Sequence, residues 1–273
     1  MTVIKNVLLA AAALAALGAC TTMADSGNTS AGMAAAPARA ALASAMDAAG
    51  GEAALAKVKE LYWTGTATLV ADGKTTKQDM ITVVRPDGQW ARTSSWASGA
   101  ESKTSRTLQV ERGKAWDVNR QSWTPLPEAQ ATNENQRYGL YSFMLLAPLK
   151  ASGAKADEQP AAADGTRTIK AQLATGQAAD LKVDTSGKLV GAMMNVRDPA
   201  GGADIAQTVT FSGEVESNGV KFPKRITITQ NGAPFYDLEI ATFEAAPAHT
   251  PRPMTQSMQY EGGQNNAGDE NAG

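Results

Sequence analysis

The sequence predicts an α+β, mostly antiparallel β fold: a long curled sheet with a helix at its N-terminal end and an apolar helix across its concave face. Three observations lead there. Aromatic and β-branched runs alternate from Leu61 onward, separated by short turns. A helical segment at residues 133–150 is apolar on nearly every side from Leu140 onward. Short turns join the strands at regular intervals, as in an antiparallel meander.

The elements follow in order. Residues 39–60 read as a helix with Leu42, Met46, Leu55 and Val58 apolar in an Ala-rich stretch. Gly50-Gly51 interrupts it and divides it in two. The period then changes to alternation in Leu61–Val70. Asp72-Gly73 signals a hairpin. Further runs are Met80–Arg85, Trp90–Trp96, Thr104–Val110, Trp116–Val118 and Trp123. After the helical segment come Arg167–Leu173, Ala179–Val183, Leu189–Val196, Gln207–Val215, Gly219–Gln230 and Pro234–Phe243. Turn residues separate them, among them Pro86-Asp87-Gly88, Arg112-Gly113, Ser217-Asn218-Gly219 and Asn231-Gly232. This regularity predicts an antiparallel meander of roughly ten or eleven strands. A sheet so wide must twist and curl. The segment at 133–150 holds Tyr138, Leu140, Tyr141, Phe143, Met144, Leu145, Leu146 and Leu149, and Pro148 should end or kink it. Such a helix either plugs the curl as core or walls a cavity for an apolar ligand.

The two ends of the chain have different compositions. Lys5 precedes an apolar run, Val7–Leu17, and Leu17-Gly18-Ala19-Cys20 follows. A basic start, a short apolar core and small residues before a cut describe a secretory signal peptide over residues 1–19. The run is shorter than the roughly 20 residues of a membrane span. Residues 20–39 are Ser, Thr, Gly, Ala and Pro with almost no large apolar side chain, which predicts a flexible tether. From 247 to 273 a Pro, Gln, Asn and Gly-rich stretch predicts a disordered tail. Residues 40–246 remain as one folded domain. Leu17–Cys20 resembles a bacterial lipobox, and Cys20 is the only cysteine. The resemblance implies a diacylglycerol on the Cys20 thiol, cleavage before it, and a third acyl chain such as palmitate on the new amine. Two or three chains hold stably where one does not. Thr21, rather than Asp, resembles the outer-membrane class, at the periplasmic face. The alternative is a chance Cys closing an ordinary signal.

Composition excludes several chemistries. The formal net charge is −2, and no basic stripe marks a nucleic-acid surface. One histidine, His249, falls in the expected tail, so a histidine base or histidine-rich metal site is not expected. No cofactor motif is present. Gly201-Gly202 follows Asp198-Pro199-Ala200 with no helix behind it, so it is a loop and not a phosphate cradle. Asp117, Asp180, Asp184, Glu214 and Asp237 are the acids in or beside strands, and a carboxylate pair is the only hydrolytic arrangement left. The reading preferred for them is as solvated strand ends and turns.

The order helix, meander, apolar helix, meander resembles the LolA/LolB-like superfamily of bacterial lipoprotein-localisation proteins. The residues that carry the resemblance are Gly50–Leu55 leading into Val58–Gly65, then Val110–Trp116 with Trp123. The closing pair, Asn218–Pro223 to Gln230-Asn231-Gly232, is also similar. The resemblance implies an incomplete β-barrel lidded by helices that binds acyl chains on its concave face, without catalysis. Trp63, Trp90, Trp96, Trp116, Phe143, Met144 and Met193 are the candidate lining, and Trp90 and Trp96 share strand parity. Each of these also serves as ordinary core. Two roles fit: an anchored binder of lipid or lipoprotein acyl chains, or an envelope protein with a self-filled sheet that presents an edge to a protein partner.

Overall fold

A computed structural model describes residues 41–71, 73–99, 106–119 and 122–248. The signal segment, Cys20, the tether, His249 and the rest of the tail lie outside the described residues, as do Asp72 of the first hairpin and residues 104–105 of the fourth predicted strand. No described helix is long and apolar enough to cross a membrane.

Gly50 and Gly51 divide the first helix into α1 (Ala41–Ala48) and α2 (Glu52–Leu55). Gly50 sits at φ 118°, and a Cβ there would overlap the carbonyl oxygen of Gly219. That close approach requires glycine. A meander of β1 (Glu60–Ala71), β2 (Lys74–Val84), β3 (Trp90–Ala97), β4 (Arg106–Glu111), β5 (Lys114–Val118) and β6 (Trp123–Pro125) follows. Helix α3 (Glu128–Leu145) and a 3-10 turn (Ala147–Lys150) come next. The second meander comprises β7 (Lys155–Glu158), β8 (Arg167–Gln172), β9 (Ala178–Val183), β10 (Leu189–Val196) and β11 (Ile205–Ser212). A small ribbon, β12 (Val215–Ser217) with β13 (Val220–Phe222), precedes β14 (Arg225–Gln230) and β15 (Ala233–Ala246).

The main sheet has the order β6-β5-β4-β3-β2-β1-β15-β14-β11-β10-β9-β8-β7, antiparallel throughout. It has 13 strands, with two more in the ribbon, where the sequence predicts ten or eleven. Three of the additional strands have local causes. Pro223 has no N–H for the ladder and splits Gly219–Gln230 into β13 and β14. Gly213, at φ 63°, splits Gln207–Val215 into β11 and β12. The charged run Lys155–Glu158 forms a short edge strand, β7, that lacks a hydrophobic signal.

The topology explains the helix. Each meander runs outward from the central β1–β15 pair, so its last or first strand is an edge. The chain must pass from the edge at β6 to the edge at β7. Helix α3 makes that passage across the concave face, and its 18 residues span about 27 Å at 1.5 Å per residue. It begins at Glu128, not 133, behind Pro127, and the acidic first turn complements the helix dipole. It ends at Leu145. Leu146 is fully buried at φ 64°, and Pro148 lies in the 3-10 turn beyond it. Both edges are blunted. The β6 edge is three residues long and ends in proline, and the β7 edge carries Lys155, Asp157 and Glu158.

Burial alternates with the pleat. On the concave side Leu61, Trp63, Ala67, Ile169, Leu181, Val183, Ala192 and Leu238 are all nearly inaccessible. The C-terminal part of α3 completes this core with Leu140, Phe143, Met144 and Leu145.

Candidate functional site

Helix α3 is not packed solid along its whole length. Between its middle, from Glu134 to Tyr141, and the concave face of β1–β4, β11, β14 and β15 lies a cavity of about 300 Å³. That is the lower limit of the roughly 300–1,000 Å³ typical of small-molecule sites.

The helix contributes Glu134, Arg137, Tyr138, Leu140 and Tyr141 to its wall. Four of these stand at i, i+3, i+4 and i+7, one stripe on one face of a helix. The sheet contributes alternate residues from neighbouring strands: Gln78, Met80 and Thr82 on β2, then Thr93, Ser95 and Leu108 beside them. Leu69, Gln207, Ile228 and Tyr236 close the other side. The wall is therefore part aliphatic and aromatic, part polar.

Helix α3 is held over the sheet by hydrogen bonds outside the cavity. Asn133 Nδ2 donates to the carbonyl of Arg197 at 2.6 Å, and the Arg197 N–H donates to Gln136 Oε1 at 2.6 Å. The Gln177 amide donates to the Gln136 carbonyl. Gly139 makes that last contact possible, because a Cβ there would overlap the Gln177 side chain. These clasps fix α3 to β10 and the loop before β9.

The charged pair inside is Arg137–Glu134. Arg137 Nη1 donates to both carboxylate oxygens, at 3.3 and 3.2 Å, and the guanidinium carbon stands 5.6 Å from the Phe235 ring and 6.0 Å from the Tyr236 ring. Burial alone would lower the Arg137 pKa, but the Glu134 carboxylate and the tyrosines outweigh it and raise it. So the cation stays charged. Burial raises all three tyrosine hydroxyls. Tyr141 is pushed up to about 12, and Tyr138 and Tyr236 are also raised, with Glu134 adding to the effect. Tyr138 hydrogen-bonds Thr93, and Tyr236 Oη donates to Met80 Sδ at 3.3 Å.

Two donors bordering the cavity lack acceptors among the described residues: Arg137 Nε and Gln207 Nε2. Gln207 is 2 % exposed. A buried donor left unpaired costs about 1–3 kcal/mol.

Of the seven side chains that the sequence nominates as lining, only Trp96 borders this cavity. Trp63 lies fully buried behind the wall, 4.5 Å from the Tyr141 ring and 6.1 Å from Phe222. Phe143 and Met144 belong to the packed core. Met144 also touches a cleft of about 30 Å³ beside α1, which is too small for a ligand. The remaining assignments fail on parity. Concave Val84 pairs with Ala91, which turns Trp90 outward; Trp96 has the same parity but still borders the cavity, from the end of β3. Gln109 faces outward opposite Trp116, and the concave partner beside it is Ala115. Met193 points outward between concave Ala192 and Met194 and is 45 % exposed. Trp90 and Trp96 do share one face, as their spacing predicts. It is the outer one, where they cover Ile81 and Val83.

The acids are dispersed. Asp117 pairs with Arg106 at 2.9 Å, Asp237 with Arg225 at 2.6 Å, and Glu214 with Lys188 and Lys221. Asp184 accepts from Ser186 and Lys188 within its own turn. No group of three His, Cys, Asp or Glu side chains positioned for a metal occurs among the described residues.

The polar stripe Glu134-Arg137-Tyr138-Tyr141 is legible as helical spacing, but the apolar run beginning at Leu140 dominates that segment and hides it. Gln207 carries no local signal at all.

No family model matches the chain, and no curated protein matches it. Solved structures do. A LolA superfamily protein from Nitrosomonas europaea aligns over 76 % of this chain and 98 % of its own, at 12 % identity and a TM-score of 0.47. A DUF1329 family protein from Desulfovibrio piger aligns over 76 % and 94 %, at 9 % identity and a TM-score of 0.49.

Proposed function

We propose that this protein is a lipoprotein of the bacterial envelope, anchored through Cys20 at the periplasmic face of the outer membrane, that holds an amphiphile under α3 without altering it. One observation carries the reading: a cavity of about 300 Å³ between a curled sheet and the helix that crosses it, lined by both apolar and hydrogen-bonding groups. Burying an acyl segment against Leu69, Met80, Leu108 and Ile228 supplies roughly 25 cal/mol per Å² of apolar surface. Dispersal of the acids into separate ion pairs and turns fits binding better than hydrolysis.

Extraction of the purified protein followed by lipid mass spectrometry tests the cavity. Co-purifying lipid is expected, and it should vanish when Leu108→Trp fills the space while the melting temperature holds. A filled variant that retains the same lipid overturns the assignment. For the anchor, the expected outcome is a diacylglyceryl mass on the N-terminal peptide at Cys20 and release of Cys20→Ala into the soluble periplasm.

A second reading, binding to a protein partner, draws on Trp123, which is 53 % exposed beside Trp116 at the β6 edge. In-cell cross-linking from that edge would trap a stable partner if this role dominates.

A further inference from the structure

We infer that the outer face of β2–β6 rests on the interface of a phospholipid bilayer carrying anionic headgroups, with Trp90, Trp116 and Trp123 at headgroup level and Arg92 on the phosphates. The Cys20 anchor brings the bilayer within reach, so the inference rests on that part of the reading above. It does not depend on what the cavity holds.

The outer faces of the two meanders differ. In the second, the residues that alternate with the core are short or charged and open to water, as at Lys170, Lys182, Thr208 and Thr210, with Met193 the apolar exception. In the first, large rings cover the outside. Tyr62, Trp90 and Trp96 pack on buried Ile81 and Val83, and Trp116 meets Trp123 at 6.1 Å. Trp90 and Trp116 remain partly exposed, and Trp123 is 53 % exposed. Arg92 stands among them, in the cross-strand row Val83-Arg92-Gln109-Trp116-Pro125. It is partly buried, desolvation pushes its pKa down, and it makes no ion pair among the described residues. The acids on this face, Asp79 and Glu111, accept from the neutral donors Thr66, Ser98 and Gln109. A half-desolvated cation without a counter-charge suits an anion from outside.

Rings with an apolar body and a polar edge favour the boundary between acyl chains and headgroups, and an arginine there gains from anionic lipid. A glycan or a proline-rich peptide would need bare ring faces to stack on. Here the Arg85 guanidinium carbon lies 4.9 Å over the Trp90 ring, and Trp116 and Trp123 meet edge to face. Residues 21–40 span at most about 70 Å. An anchored domain can therefore turn either outer face to the membrane, and the side chains select which.

Sedimentation with vesicles tests this on the mature chain, residues 20–273 with Cys20→Ala, so that no acyl anchor contributes. Vesicles of three parts phosphatidylethanolamine to one part phosphatidylglycerol should bind it at least about fivefold more tightly than phosphatidylcholine vesicles, and Arg92→Gln should remove that preference. Trp123→Ser, at an exposed site, should weaken binding to both vesicles at least about fivefold. Lys170→Gln/Lys182→Gln, on the other outer face, and Leu108→Trp, which fills the cavity, should leave binding unchanged. Melting temperatures confirm that each variant folds. Absence of binding to either vesicle, indifference to both Trp123→Ser and Arg92→Gln, or an equal loss in the Lys170/Lys182 or Leu108 variants overturns the inference. The lipid on Cys20 and the lipid in the cavity are read by separate mass measurements, so those readings stand or fall apart from this one.

Discussion

The two ends of α3 cover the same sheet in opposite ways. From Leu140 to Leu146 the helix is apolar almost all round. Phe143, Leu145 and Leu146 disappear into a core that continues through Ile169, Leu181 and Val183. From Asn133 to Tyr138 the helix is polar, clasped by hydrogen bonds to β10, and it leaves a hollow above Thr82, Thr93 and Ser95. Small hydroxyl side chains on the sheet and a self-paired Arg–Glu on the helix cannot fill that space or drive its closure. So one end supplies stability and the other supplies room, a division seen wherever binding sites sit on a rigid frame.

Substitutions can break that contrast. The largest effect is expected at the packed end. Phe143→Ala should lower stability by about 3–5 kcal/mol, because the ring leaves a closed void. Chemical denaturation measures it, and a loss near zero would show that this end is not the structural anchor.

Alkali should act on the open end. Tyr138, Tyr141 and Tyr236 have raised pKa values in the folded state because burial disfavours the phenolate. Their contribution to stability is full below the ordinary value near 10 and is lost as pH rises through the folded values. Absorbance near 295 nm should show these tyrosines ionising only with cooperative unfolding, above about pH 10. Normal titration of all five tyrosines would mean the stripe is open to water.

Glu134→Gln should cost about 2 kcal/mol, since it leaves Arg137 partly buried without its counter-charge. Thermal unfolding reads that loss. A paired comparison sharpens the contrast further. Ala192→Val, under the packed end, should destabilise by about 1–3 kcal/mol through overpacking. Ser95→Val, in the hollow, should stay within about 0.5 kcal/mol. The smallest effect is expected at the surface. Arg225 lowers the Asp237 pKa by hydrogen bonding to its carboxylate. The pair therefore stabilises above the ordinary carboxyl value, and that gain fades as pH falls through the lower folded value. Arg225→Gln should lower stability only slightly at neutral pH and flatten the acid limb of the stability curve.

Most of the elements were legible from local pattern alone. Alternation located most strands, Gly50-Gly51 divided the first helix, and the greasy run after Leu140 marked a helix buried against a sheet. These are local properties of period and backbone freedom. It could not assign faces. A tryptophan on a strand looks the same whether it turns inward, as Trp63 does, or outward, as Trp90, Trp96 and Trp116 do, because parity becomes inside or outside only once every strand is registered against its neighbour. The hollow itself is a difference between the volume that the curl encloses and the volume that side chains from β1–β4, β11, β14, β15 and α3 supply. These residues are far apart in the chain. Only their assembly decides that the space beside Arg137 and Gln207 stays open.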